Sequence, residues 1–401
     1  MSMKANRFSS FSKLFYAAGA AGLVHLGRKC VDNAAKKHGI SSRAWLFMQG
    51  LIYLSPHLKR HIWGIVDLQR LEGPLKIGSR FGDKGVSVQE KTENDLKSFV
   101  FSPKEGTASP LHILYLHGGD FVMGVMPYYY WMLSDLARQL DCTVEMPIVP
   151  LAPKCKWEES MDAILSVYQD LAKRHGAENI VVMGDSAGGW LTLTLSRMLA
   201  DKGLKQPKAL ILYSPFLDLS CSGKDQPFLE KNDPILDIPF LREGGKLWVG
   251  KNNSLTDSKV NPIYADSLEE GLPPTLIISG TSDTLNSDAR RLKQKEPWML
   301  LEQYTGMHHI FMVNKFTPET QRVMQQTVDF IRNPRQATSE AEKTGLWQNS
   351  RGERWLLSLK DADPVLDHDF MPAWGHDIEE EALSEKDPEA EAKAKDKLKE
   401  K

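Results

Sequence analysis

Five short stretches between residues 112 and 280 are apolar almost from end to end, and helical stretches or longer connections separate them. They read HILYLH (112–117), TVEMPIV (143–149), NIVVMG (179–184), KALILYS (208–214) and PTLIISG (274–280), with a weaker sixth, LLEQY, at 300–304. A strand that is apolar on both faces has to be covered on both faces. Covered strands alternating with helices are the pattern of parallel sheets built from crossover units. Helices are predicted at about 128–140, 157–175, 188–202, 286–296 and 317–332. The fold class is therefore α/β, with a mostly parallel, doubly wound sheet over about 96–334.

About 60 residues separate the strands at 208–214 and 274–280, more than a crossover helix needs. The segment NDPILDIPFLREGGKLWVG (232–250) reads as an inserted helix. Placed beyond the strand C-termini, an insertion over about 218–270 would lie above the face where such sheets bind ligands, as a helical lid. Residues 32–95 read as an N-terminal helical cap, with the thick apolar face of RAWLFMQGLIYL (43–54) needing cover. Residues 335–401 are polar and end in a low-complexity charged stretch (377–401), read as a solvated tail.

Residues 1–31 carry five basic side chains (Lys4, Arg7, Lys13, Arg28, Lys29), no acidic ones, and the apolar run LFYAAGAAGLVHLG (14–27). That run is shorter than the ~20 residues a membrane-spanning helix requires. A membrane-associated arm, at the endoplasmic reticulum or a lipid surface, is the favoured expectation, with a mitochondrial presequence as the alternative and an inert arm as the third. The net charge of −2 supplies no global field toward nucleic acid. Cys30, Cys142, Cys155 and Cys221 show no metal-ligand spacing, so neither a zinc site nor a disulfide framework is expected and an intracellular compartment is favoured. Oligomeric state is not readable.

The most specific signal is NIVVMGDSAGGW, in which Gly184-Asp185-Ser186-Ala187-Gly188 fits G-x-S-x-G between a predicted strand and a predicted helix. A serine on so sharp a turn presents its hydroxyl outward. The glycines remove side chains that would strike neighbouring backbone, and the Ala187 amide lies at a helix N-terminus suited to a developing oxyanion. A serine hydroxyl needs a base and an orienting acid. Asp283 follows the strand PTLIISG, and the pair His308-His309 follows LLEQY, so the chain order is Ser, Asp, His, each on a loop beyond a strand. Upstream, His117-Gly118-Gly119 begins a loop whose amides could hold an anion, yet the next residue is Asp120.

HGGDF (117–121), GDSAGG (184–189), YSPFLDL (213–219), GLPPTLIISGTSDTL (271–285) and GMHHIF (306–311) together resemble the hormone-sensitive-lipase-like branch of the α/β-hydrolases. The resemblance covers about residues 90–332. It implies an α/β-hydrolase fold and places the nucleophile on Ser186, the acid on Asp283 and the base on His309, with His308 the runner-up. It places the oxyanion amides on Gly119, Asp120 and Ala187. No metal or cofactor is implied. Three departures stand out: Asp120 where the family has a third glycine, Trp190 where it commonly has Asn, and VPLAPK (149–154) where a glutamate is usual. An amide donor survives a change of side chain, so the oxyanion site is expected to work; a carboxylate close to the anion would raise its energy, whereas one turned outward could hydrogen-bond the loop and hold it in shape.

The expected activity is hydrolysis of carboxylic esters, with hydrophobic or lipid-like substrates of short or medium acyl chain. Amide hydrolysis is a variant of the same mechanism. The alternative is a non-catalytic small-molecule binding protein on the same scaffold.

Overall fold

A computed structural model describes residues 28–67, 85–338 apart from loop positions 94, 95, 108, 252, 266, 267, 269 and 270, and the short stretches 346–348 and 354–356. These all lie in the first of two compact units, Met1–Leu357. The basic, apolar run at 1–27 and the charged stretch at 377–401 fall outside the described residues.

The apolar runs become the core strands β3 (His112–Leu116), β4 (Thr143–Pro147), β5 (Ile180–Asp185), β6 (Ala209–Tyr213), β7 (Thr275–Gly280) and β8 (Leu300–Tyr304). Every residue of β3, β5, β6 and β7 is buried, as burial on both faces requires. They join β1 (Val86–Glu93) and β2 (Leu96–Pro103) in an eight-stranded sheet of order β1-β2-β4-β3-β5-β6-β7-β8. β1–β2 and β2–β4 pair antiparallel and the remaining pairs are parallel. Strand order reverses around β3 and β5, so the loops leaving these two strands open side by side at the switch point where doubly wound sheets place their sites.

The helical reading of residues 32–95 needs correction. Helices α1 (Arg28–Lys37) and α2 (Ser42–Asp67) occupy its first part, but β1 is an edge strand. Its sequence, VSVQEKTE, is polar because one edge and much of one face meet water, and Lys91 and Glu93 there discourage pairing with another chain. The apolar residues Ala44, Trp45, Met48 and Leu51 line one side of α2 and are buried. Ser41 caps α2 by accepting the Ala44 N–H at 3.1 Å.

Crossover helices α3 (Tyr128–Leu140), α4 (Trp157–His175) and α5 (Ala187–Asp201) follow β3, β4 and β5. The inserted segment forms two helices, α6 (Gln226–Asn232) and α7 (Ile238–Val249), where one was expected. Pro234 and the cap residue Asp237, which accepts the Phe240 N–H, separate them. α8 (Asn286–Lys295) and α9 (Pro318–Arg332) follow β7 and β8, and β9 (Leu346–Gln348) and β10 (Arg354–Leu356) pair as a small hairpin. No helix among the described residues is long and apolar enough to cross a membrane.

Candidate active site

Ser186 stands between β5 and α5 with φ 52° and ψ −120°, a conformation that L-residues rarely adopt. Its backbone is pinned on both sides: its N–H donates to Tyr213 O at 2.8 Å, and its carbonyl accepts from Gly189 and Phe216, both at 2.9 Å. A Cβ on Gly184 would collide with the Gly188 carbonyl, and one on Gly188 with the carbonyl of Leu116 on β3. The two glycines thus permit the close strand–helix crossing that lifts Ser186 above the sheet. Among the described residues Ser186 Oγ has no hydrogen-bond partner, so it is held in place by its backbone.

Asp283 and His309 come together on the loops after β7 and β8. His309 Nδ1 lies 3.0 Å from Asp283 Oδ1, which also accepts the Leu285 N–H at 2.8 Å. Burial alone would depress the His309 pKa. The charge and hydrogen bond of Asp283, with Asp233 and Asp185 behind, instead hold it above the usual imidazole value. With Nδ1–H committed to the carboxylate, Nε2 is the nitrogen left to accept a proton. His308 is turned elsewhere: its Nδ1 bonds the His309 carbonyl at 2.7 Å and its ring lies against Phe47 of α2. Burial pushes it down to about 4. Of the two adjacent histidines, only His309 meets the acid.

The His117–Phe121 loop is clamped to the Ser186 turn by Asp185 of the motif and by two tyrosines that sequence reasoning did not single out. Asp185 accepts Tyr115 Oη–H at 2.8 Å, Tyr129 Oη–H at 2.9 Å and the Gly118 N–H at 3.2 Å. Nothing in the strand HILYL or the helix start YYYW marks these tyrosines, because the carboxylate they serve lies 70 and 56 residues away in sequence. His117 Nε2 accepts the Val149 N–H at 3.2 Å, which puts the proton on Nδ1, donated to Gly118 O at 2.8 Å. Burial keeps this imidazole neutral. Gly119 has φ 118°, and a Cβ there would collide with the Met123 carbonyl. Among the described residues, the amides of Gly119, Asp120 and Ala187 donate to no protein acceptor.

Of the two placements open to the Asp120 carboxylate, the outward one that braces the loop is not the one adopted. With φ 50° the residue takes the left-handed conformation that Asp tolerates, and its side chain is buried against α7. A Cβ on Gly244 would run into the carboxyl, so glycine at 244 makes the room for it. Neither oxygen has a hydrogen-bond partner among the described residues, and burial raises the pKa well above the usual carboxylate range. Burial thus favours the neutral acid at Asp120, which lessens the negative charge beside the neighbouring amides.

This has a measurable consequence. The unfolded chain ionises Asp120 near the ordinary carboxylate value while the native state keeps the proton, so native stability declines as pH rises between the two pKa values. Asp120→Asn removes that dependence. Urea unfolding should show the variant's stability advantage growing by about 1.4 kcal/mol per pH unit above pH ~4, up to the native pKa. An advantage equal at pH 4 and pH 8 would mean that the carboxyl is ionised in place.

Trp190 is fully buried in an aromatic cluster with Trp157, Trp248 and Phe121, the last stacked on Trp248 at 4.6 Å. It is core, and it seats α7 on the loop that carries Asp120. No group of three or more His, Cys, Asp or Glu side chains among the described residues is arranged to hold a metal ion.

A mainly parallel sheet, a serine on a glycine-flanked strand-to-helix turn and a buried His–Asp pair on the two later loops define an α/β-hydrolase scaffold. A family model described as alpha/beta hydrolase fold matches residues 113–313. An esterase from Acinetobacter venetianus is 33% identical over 224 residues, which is 54% of this chain and 73% of that protein. An acetyl-hydrolase from Streptomyces hygroscopicus is 27% identical over 240 residues, 58% of this chain and 77% of that one. The crystal structure of an esterase from the bacterial hormone-sensitive lipase family superposes with a TM-score of 0.59 at 27% identity, covering 70% of this chain and 98% of that one. The chain belongs to the α/β-hydrolase family, on its hormone-sensitive-lipase-like branch.

Proposed function

We propose that this chain hydrolyses carboxylic esters through Ser186, His309 and Asp283. The observation that carries the proposal is the 3.0 Å contact of His309 with Asp283 on the loops beside the Ser186 turn. His309 Nε2 takes the Ser186 proton as Oγ attacks the ester carbonyl, and Asp283 fixes the imidazole's tautomer and stabilises the imidazolium. The amides of Gly119, Asp120 and Ala187 receive the oxyanion. The alkoxide leaves with the proton from His309, and water then attacks the acyl-enzyme by the same route. The missing Ser186–His309 hydrogen bond is ordinary for an unliganded site, where such bonds tighten only with substrate.

Hydrophobic esters of short to medium acyl chain are the substrates proposed, in keeping with relatives named esterase and acetyl-hydrolase. The arm at residues 1–31 would bring such an enzyme to a lipid surface. The alternative, binding without turnover, drew its support from Asp120 and Trp190; burial that favours the neutral form of Asp120 and a Trp190 packed in the aromatic core both weigh toward hydrolysis.

The test is incubation with a fluorophosphonate ester alongside hydrolysis of p-nitrophenyl acetate and longer homologues. One phosphonyl group per chain, found on Ser186 by peptide mass, with parallel loss of turnover, is the expected outcome. Turnover that persists in fully modified protein would refute the assignment.

A further inference from the structure

Asp233 is a buried carboxylate that the chemistry above does not employ. It follows α6 and precedes Pro234, with extended backbone at φ −90° and ψ 112°. Its Oδ1 accepts the N–H of Ile235 at 2.9 Å and of Leu236 at 3.2 Å, which turns its own segment toward α7. Its Oδ2 reaches across 51 positions of sequence to accept the Thr284 N–H at 2.9 Å. Thr284 directly follows Asp283, and the next amide, that of Leu285, donates to Asp283 Oδ1. Consecutive amides of one turn thus hold two different carboxylates, one from the insertion and one from the turn itself. Three N–H donors on a single carboxyl are an arrangement that favours an anion.

We propose that Asp233 is a positioning residue for the His309–Asp283 pair. Through Thr284 it fixes the turn that aims Asp283 at His309, and its negative charge favours the imidazolium that forms during turnover. The proposal rests on the reading of His309 as the base. The groups facing His309 are Asp283 on the turn after β7, Asp233 on the insertion, Asp185 at the end of β5, and the adjacent His308. Burial, with the charge of Asp283, raises the Asp233 pKa above the usual carboxylate value, while the imidazolium and the amides of Thr284 and Ile235 work against that rise, and the anion is favoured most when His309 is protonated. The insertion is thereby part of the site's geometry as well as its cover.

The test is the full pH–rate profile of Asp233→Asn and Asp233→Ser on p-nitrophenyl acetate, with Ser186→Ala as the blank. Both substitutions remove the charge and keep an oxygen that can accept the Ile235 N–H. The expected result is a roughly 10-fold fall in kcat from the loosened turn, KM within about twofold, and an acid limb of kcat/KM lowered by roughly 0.5–1 pH unit. An acid limb that stays where it is, whatever happens to kcat, overturns the proposal. Loss of the fold in both variants overturns it too, because positioning alone leaves the core intact. If the parent enzyme shows no turnover that depends on Ser186, the ester-hydrolase reading falls separately. Asp233 is then judged by the NMR titration of the His309 imidazole in parent and variants, where a downward shift supports the proposal and no shift overturns it.

Discussion

Ser186→Ala abolishes ester turnover, with kcat falling on the order of 10⁴–10⁶-fold while the protein stays folded. Alanine keeps the Cβ that the Ser186 turn already accommodates at φ 52°, so the substitution adds no backbone strain. Ser186 Oγ has no hydrogen-bond partner among the described residues, so its removal leaves no buried group unsatisfied. Stability should therefore change by less than about 1 kcal/mol. Thermal unfolding measured beside steady-state kinetics separates the two effects. A variant that retains more than about 1% of the activity would move the nucleophile off Ser186.

Asp283→Asn is expected to lower kcat by about 10⁴-fold for a different reason. The side chain is fully buried and its Oδ1 holds both the His309 ring and the Leu285 amide. Asparagine can imitate one of these contacts at a time, and it lacks the charge that offsets burial of the imidazolium. The His309 pKa, held up by Asp283 against burial, must fall in the variant. The base is then neutral at lower pH, yet too weak and too loosely aimed to take the serine proton. The measurement is kcat against pH together with the imidazole titration by NMR. A large rate loss with an unmoved titration would show that Asp283 acts through orientation alone.

The central sheet was readable because its strands are covered on both faces, which forces runs such as ALILY (209–213) to be apolar throughout and lets Gly and Pro punctuate them. β1 was not readable: VSVQEKTE meets water along one edge, and its polarity hides the strand. At the candidate site, Ser186, Asp283 and the pair His308-His309 stood out because each follows a strand within a few residues, so local pattern and chain order carry the information; the family resemblance favoured His309 within the pair. Tyr115, Tyr129 and Asp233 did not, since each acts on a partner more than 50 positions away. Asp120 was visible as a residue, but not in its orientation. That depends on Gly244, a glycine of the insertion that no local rule connects with the loop after β3.

The N-terminal helices are clasped from the far end of the fold. Ser41 gives its N–H and its hydroxyl to the two oxygens of Glu319, at 2.6 and 2.8 Å, and Phe47 lies against His308. The clasp joins residues 278 positions apart, so during synthesis the first helices wait for nearly the whole of the sheet. At ordinary elongation rates that wait is roughly 15–55 s. Until then α2 lacks the Glu319 clasp, and part of the cover over its apolar side, which holds Trp45, Met48 and Leu51, is still to be made. The loop bearing His309 gains its helical backing, through Thr320 on the Phe311 carbonyl, only when α9 emerges, which makes His309 one of the later parts of the sheet domain to settle.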